Sequence, residues 1–292
     1  MHWQSLLGAQ PRLAEEALDE WYATLLAQLQ QPSALQLAVL GGRMAATPGL
    51  AFLAGYQAAL RALWPAAPWT LGALCVTEQR SIRPADLKTR LQGLQLDGRK
   101  DFVTAAEYAE WLLVAARVEA PDSPPQIALA VVRSGGPGVS IEALPSLPLM
   151  PDISHGRLLL QAAPCERLPG DGWADYCKPF RTLEDNHVLA ALTAWLYGVG
   201  QDCAWPQALQ LRLLGLLAGC AEMARQCPNA AAGHVLLASL FAQFEALHAE
   251  LDAALAGSPS HWQQLWQRDR GLLGIAKSAR LKRLEKALAA LA

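Results

Sequence analysis

Apolar positions recur every four residues near the start of the chain, at Leu13, Ala17, Trp21, Leu25 and Leu29 of LAEEALDEWYATLLAQLQ. That spacing marks one face of a helix, with acids early in the segment to suit its positive end and Pro32 to interrupt it. GGRMAATPG then separates a second helical stretch, FLAGYQAALRALW, so residues 9–64 read as a compact helical layer. From Trp69 to Pro164 the pattern changes. LGALCVTE, FVTAAEYAEWLLVAAR, IALAVVR and GVSIEAL are apolar or β-branched runs separated by LDGRK, APDSPPQ and RSGGPG, which predicts short strands in a mainly antiparallel sheet or barrel. AAEYAE is less strand-like than its flanks and predicts a bend. After AAPCERLPGDGW the helical period returns, with elements expected near 180–199, 206–225, 230–255 and 260–290. The expected class is α+β: N-terminal helices over residues 1–66, a central mainly antiparallel β-domain over 67–165, and a C-terminal four-helix bundle over 166–292.

Length alone, 292 residues, suggests about two domains; the pattern gives three segments, of which the first and last are expected to pack as one helical body. Composition narrows the function classes. Hydrophobic residues make up 52% and charged residues 17%, which excludes intrinsic disorder and a fibrous repeat. With 24 Lys+Arg against 26 Asp+Glu, the chain lacks the basic excess of a nucleic-acid binder. Two long charge-free stretches, Met44 to Leu60 and Gln226 to Phe244, are interrupted by Pro48 and by Pro228, Asn229, His234 and Gln243, so no integral membrane segment is expected. MHWQSLLGAQPRLAEE does not read as an export signal, and the six scattered cysteines read as reduced thiols, which together suggest a cytoplasmic location.

Explicit catalytic signatures are missing. No HExxH, Walker or GxGxxG pattern occurs, and the histidines at 2, 155, 187, 234, 248 and 261 are dispersed, so no metal is expected and packing or surface roles suit them. RSGGPG offers backbone amides suited to phosphate, but equally describes a turn.

The ordered combination of helices, CVTEQRS, LDGRKDFVTAAEYAEWLLVAAR, IALAVVRSGGPGVSIEAL and terminal helices resembles the acyl-CoA dehydrogenase family, from about residue 40 onward and best over 71–142. The resemblance implies a helical–β–helical order, here with a shortened first domain, and an FAD cofactor. In the family a TEP-like strand and a KxF(V/I)T segment border the flavin. The matching positions are Thr77 and Glu78, then Lys100, Phe102, Val103 and Thr104. Thr77 and Thr104 would hydrogen-bond the flavin edge and Phe102 would bound its face; strand, turn and packing roles are the alternative. The chain reads TEQRSIRPAD where the family has Pro and then Gly-Ser-Asp, and it lacks the family's R-x-x-F-G and QxxGGxG-like segments.

Removal of an alpha proton needs a carboxylate. By resemblance to a branch that places its Glu in the first C-terminal-domain helix, Glu184 is the expected base, with Asp185 next. The alternative is a helix start capped by Thr182, with both acids favouring its positive end. Arg181 would neutralise these acids or contact CoA phosphates, or simply form a surface ion pair. Trp173 and Tyr176 would line an acyl entrance or anchor the crossing into the helices, and His187 would tune Glu184 or sit at the core edge. The expected function is oxidation of an acyl thioester such as acyl-CoA at its alpha–beta bond, with a homo-oligomeric state and an electron-transfer protein as partner. The competing readings are a non-catalytic interaction or scaffold protein and an acyl-thioester binder without redox activity.

Overall fold

The computed structural model describes residues 3–14, 16–120 and 123–292. Met1, His2, Glu15 and residues Pro121 and Asp122 of the APDSPPQ segment lie outside the described residues. Two compact units emerge: residues 1–62, 148–150 and 182–292 form a helical one, and residues 63–147 and 151–181 a sheet.

The helical unit draws on α1 (Trp3–Leu7), α2 (Leu18–Leu29), α3 (Ala34–Met44) and α4 (Pro48–Leu63) from the first part of the chain. Pro32 separates α2 from α3, whose start is fixed by a capping box. The Gln36 amide donates to Ser33 Oγ at 3.3 Å, and the Ser33 amide donates to Gln36 Oε1 at 2.9 Å. The later part supplies α5 (Lys178–Asp202), α6 (Gln207–Met223), α7 (Ala231–Ala246), α8 (His248–Ala256), α9 (Ser260–Asp269) and α10 (Lys277–Leu291). Four of these are long. Around α5 there is no polar face: every residue from Asp185 to Gly200 is buried, as expected of a helix that is apolar all round. Close approach of its neighbours depends on glycine. A Cβ on Gly55 of α4 would lie 2.8 Å from the His187 carbonyl oxygen, and one on Gly42 of α3 would strike the backbone of Ala191.

Two boundaries differ from the sequence expectation. The expected 230–255 helix breaks at Leu247 into α7 and α8, and the expected 260–290 helix is interrupted by a 3-10 turn over Arg270–Gly274, where Gly271 and Gly274 weaken α-helical continuity. Among the described residues no helix is long and apolar enough to cross a membrane.

The sheet unit holds β1 (Gly72–Cys75), β2 (Arg90–Gln92), β3 (Gln95–Thr104), β4 (Trp111–Ala120), β5 (Ser123–Arg133), β6 (Val139–Ala143), β7 (His155–Pro164) and β8 (Glu166–Arg167). Their order is β6-β7-β3-β2-β4-β5-β8, with β1 beside β4. Pairing is antiparallel apart from β1 with β4 and a single parallel contact between β2 and β4. Alternation explains the core: Leu112, Val114 and Ala116 of β4 sit opposite Val132, Ala130 and Ala128 of β5, and all six are buried in one apolar cluster with Cys75, Val103 and Leu158. The predicted bend is real, since β3 stops at Thr104 and β4 starts at Trp111. RSGGPG is a turn, but it joins strands that are not neighbours, because β6 pairs with β7. An α+β fold with N-terminal helices, a mainly antiparallel central sheet and C-terminal helices is therefore observed.

Candidate functional site

The segment after β1 builds one side of the site. Glu78 and Ser81 exchange two backbone hydrogen bonds, Glu78 N–H to the Ser81 carbonyl at 2.9 Å and Ser81 N–H to the Glu78 carbonyl at 2.8 Å. Between them, Gln79 and Arg80 form a two-residue turn with φ of 48° and 63°. Both central residues are left-handed, the type I′ arrangement that ordinarily selects Asn-Gly. A side chain at each such position costs roughly 1 to 2 kcal/mol. This turn carries that strain twice.

Glu78 is buried at the base of the turn. One carboxylate oxygen accepts the Lys88 amide at 2.6 Å, and both lie within 3.3 Å of the Thr89 amide. The same group meets Lys100 Nζ at 2.6 Å. Lys100 comes from β3, has 0% of its surface exposed, and also donates to the Val76 carbonyl at 3.3 Å. Burial alone would raise the Glu78 pKa, but the lysine's charge and the donors from Lys88 and Thr89 outweigh it and hold the carboxyl below its usual range. For Lys100, burial dominates and lowers the pKa against the pull of Glu78. Two thiols close to this ammonium, Cys75 and Cys177, are pushed by burial up to about 12, so neither supplies a thiolate near neutral pH.

Three of the expected cofactor residues come together here. Thr77, Glu78 and Phe102 line one cavity of about 850 Å³ within the sheet unit, a size suited to a small-molecule ligand. Phe102 keeps 37% of its surface exposed and lies 4.7 Å, centroid to centroid, from the His155 ring, whose pKa is lowered by burial. Val103 and Thr104 are buried in the same strand and are not among the lining residues; Thr104 sits opposite His155 in the β3–β7 register. The remaining wall includes residues that the motif reading did not single out: Arg80, Lys88, Arg99 and Arg157. A run of basic residues scattered over 80 to 157 gives no local pattern, so only the fold assembles them.

Trp173, Tyr176 and Arg181 belong to the sheet unit. The Arg181 guanidinium carbon lies 5.0 Å from the centre of the Trp173 ring, and the Tyr176 hydroxyl donates to the Pro169 carbonyl at 2.9 Å. Glu184 and Asp185 belong to the helical unit. Glu184 is half-buried on α5. Asp185 is buried, with one oxygen receiving Arg280 Nη1 at 2.9 Å and the other receiving Arg283 Nη2. Burial raises its pKa, opposed by those two arginines. The expected Thr182 cap is corrected by the structure. A π-helical turn over Gly172–Cys177 precedes α5, and Asp171 caps it by accepting the Trp173 amide at 2.9 Å and the Ala174 amide at 2.6 Å. Thr182 is therefore an interior helix residue. His187 is likewise interior, its Nδ1–H donating to the Leu183 carbonyl at 2.7 Å. Among the described residues no cluster of three or more metal-ligating side chains occurs.

No family model and no curated protein matches this sequence. Solved structures do match its fold. The FAD complex of PigA is 13% identical with a TM-score of 0.66, covering 93% of this chain and 89% of that one. Butyryl-CoA dehydrogenase from Megasphaera elsdenii is 12% identical with a TM-score of 0.64, covering 95% and 91%. FMN-bound TdsC from Paenibacillus sp. A11-2 is 15% identical with a TM-score of 0.62, covering 92% and 83%. At these identities and over these lengths, the chain has the fold of the acyl-CoA dehydrogenases.

Proposed function

We propose that this protein is an acyl-CoA dehydrogenase-like flavoprotein that oxidises an acyl thioester at its alpha–beta bond. One observation carries the reading: Thr77 of CVTE and Phe102 of KDFVT, distant in sequence, line the same cavity in a fold shared with an FAD complex and a butyryl-CoA dehydrogenase. The residues present fit FAD or FMN. An exposed aromatic face, a hydroxyl and a basic wall match the three chemistries of a flavin nucleotide: planar ring, polar ring edge and phosphate.

A bound flavin supplies the hydride acceptor for the substrate's beta carbon. The chain must supply the rest. Thr77 would hydrogen-bond the ring edge and Phe102 would restrict the ring's position, while Glu78, itself held by Lys100, keeps the turn fixed behind them. Glu184 takes the alpha proton onto a carboxylate oxygen as the carbon–carbon double bond forms. It is preferred to Asp185, whose two oxygens are committed to Arg280 and Arg283. The same reading assigns a cytoplasmic protein with free thiols, a homo-oligomeric state and an electron-transfer protein as oxidant of the reduced flavin.

Gentle purification followed by a visible absorption spectrum tests the assignment. Stoichiometric flavin bands are expected, while a colourless protein that takes up neither supplied FAD nor FMN overturns it. The base is tested separately. Glu184→Gln is expected to keep the flavin spectrum and lower kcat by at least about a hundredfold, the usual contribution of a positioned base. Unchanged turnover removes Glu184 from the mechanism.

A further inference from the structure

The helical unit contains a cavity of its own, about 700 Å³ in volume. It opens between α1, the first turn of α3, the end of α4 and one face of α6, with Trp3, Leu35, Ala62, Ala218 and Ala221 among its walls. Ala218 and Ala221 lie on the same face of α6, where larger side chains would close the space. Glu222 and Arg225 also line it, 3.9 Å apart, and offset each other's charge. The wall is therefore mainly small, apolar and without net charge. No residue assigned above to the flavin or to proton transfer belongs to it, Glu184 and Asp185 included.

One buried polar group faces this lining. His187 of α5 lines the cavity while keeping only 1% of its surface exposed. Its Nδ1 lies 2.7 Å from the Leu183 carbonyl oxygen, which can only accept, so Nδ1 carries a proton. Burial lowers the pKa of the ring and favours its neutral form, which leaves Nε2 as a bare acceptor. With Nδ1 turned back onto its own helix, the Nε2 edge faces outward, to the cavity. No donor among the described residues reaches it. A buried acceptor without a donor costs stability, and folded interiors rarely keep one unless something outside the chain meets it.

We propose that this cavity binds an uncharged, largely apolar molecule carrying a hydroxyl group, whose O–H donates to His187 Nε2. Apolar walls with one well-placed polar group are the usual make-up of a small-molecule site, the walls burying the ligand's body and the polar group orienting it. A carboxylate or phosphate is disfavoured, because its oxygens have no proton to give and would meet the Nε2 lone pair. An ammonium is disfavoured by the absence of net negative charge on the wall. Ser33 favours a hydroxyl in particular. It also lines the cavity, and its Oγ already accepts the Gln36 amide at 3.3 Å, so its own proton is left for an oxygen that can accept as well as donate.

Nuclear magnetic resonance titration of the full chain, isotope-labelled in its histidine rings, tests the site with para-cresol and para-fluorotoluene. The two probes have nearly the same shape, and only the cresol can donate a hydrogen bond. Para-cresol is expected to bind about tenfold more tightly, the worth of one such bond, and to move the His187 Nε2 resonance upfield as its lone pair is engaged. Para-fluorotoluene should leave that resonance in place. His187→Phe keeps a ring without the acceptor and should bind both probes equally. Ala221→Trp, at a half-buried position of α6, fills the cavity without touching the buried core and should bind neither, with the His187 Nδ1–H tautomer preserved. It keeps the test decisive where His187→Phe fails to fold. Para-cresol that binds no more tightly than para-fluorotoluene, that leaves the Nε2 resonance unmoved, or that binds Ala221→Trp as it binds wild type overturns the proposal. No flavin or thioester enters the titration, so its outcome does not depend on the flavoprotein reading.

Discussion

Two buried acids, one in each unit, answer the same physical problem in opposite ways. Glu78 of the sheet unit is held almost entirely by local structure: two backbone amides ten and eleven residues on and one lysine from a strand twenty-two residues on. Asp185 of the helical unit instead takes both its partners from α10, 95 and 98 residues away. The pKa directions differ accordingly. For Glu78 the donors and the lysine overcome burial and lower it, whereas for Asp185 burial prevails and raises it. A carboxylate that organises a turn beside a cavity is thus built as a permanent anion, and one that fastens the first long helix of its segment to the last is built as a long-range tie.

The largest test of that contrast removes a partner from Glu78. Lys100→Met leaves a buried carboxylate without its counter-charge and is expected to cost about 3 kcal/mol, the lower end for a broken buried pair because the Lys88 and Thr89 amides remain. Chemical denaturation measures the loss. The double variant with Glu78→Gln should regain much of it, since an uncharged side chain no longer needs the lysine. If the single variant is as stable as wild type, the pair is not the anchor of the turn.

Asp185→Asn is the matching change in the helical unit. The side chains of Arg280 and Arg283 retain 10% and 18% exposure, so water can partly replace the lost carboxylate, and burial already offsets most of the attraction, so a cost of about 1 kcal/mol is expected, in the range of surface pairs. Hydrogen exchange gives the sharper reading: α10 should lose protection selectively, while β3 and β4 should not. Uniform loss across both units would remove the distinction between a local and a long-range acid.

Much of the architecture is legible in the sequence because periodicity reports which face is buried. The apolar runs WLLVAAR and IALAVVR, bounded by turn residues, predict the strands that bury Leu112, Val114, Ala128 and Ala130 in the sheet core, and the helical period near 180–199 predicts the body of α5. Pairings between distant residues leave no such trace. Nothing near Asp185 in the chain points to Arg280 or Arg283, and the four cations of the cavity wall meet only because β3 pairs with β7 and the Glu78 turn packs beside them. The turn itself was hidden for a different reason: Gln79 and Arg80 are poor matches to the Asn-Gly signal for its geometry. The start of the α5 region is obscured because Thr182, followed by two acids, imitates a cap, while Asp171 does the capping seven residues before Lys178.

Histidines extend the comparison to pH. Burial depresses the pKa of His155 in the sheet unit and of His187 in the helical unit. With the folded pKa below the unfolded value of about 6.5, the unfolded chain binds the proton first as pH falls. Stability from each neutral imidazole is therefore complete above about pH 6.5 and is lost as pH drops from there through the folded pKa, with a slope of at most about 1.4 kcal/mol per pH unit for each group. Denaturation midpoints at pH 7.5 and 5.5 should show the decline, and His187→Gln should flatten it by one group's share. The raised pKa of Asp185 works in the opposite sense, so the comparison with the variant decides: a His187→Gln midpoint that keeps the wild-type pH dependence contradicts the shift of that histidine.

The smallest expected effect tests the strained turn alone. Replacing Gln79 by glycine removes a left-handed penalty of roughly 1 to 2 kcal/mol but returns about 0.5 to 1 kcal/mol through the greater freedom of glycine in the unfolded chain. The net change is a gain of about 0.5 kcal/mol, which a difference in denaturation midpoint at unchanged slope can resolve. Gln79 differs from Arg80 in carrying no charge, so its replacement separates the conformation of the turn from its electrostatics. If Gln79→Gly stabilises the fold by about this amount, the Glu78–Ser81 bonds and Lys100 below suffice to hold the turn against the strain at this position. A loss of stability would mean that Gln79 makes contacts worth more than its backbone penalty, and that the turn is not strained in the sense its φ angles imply.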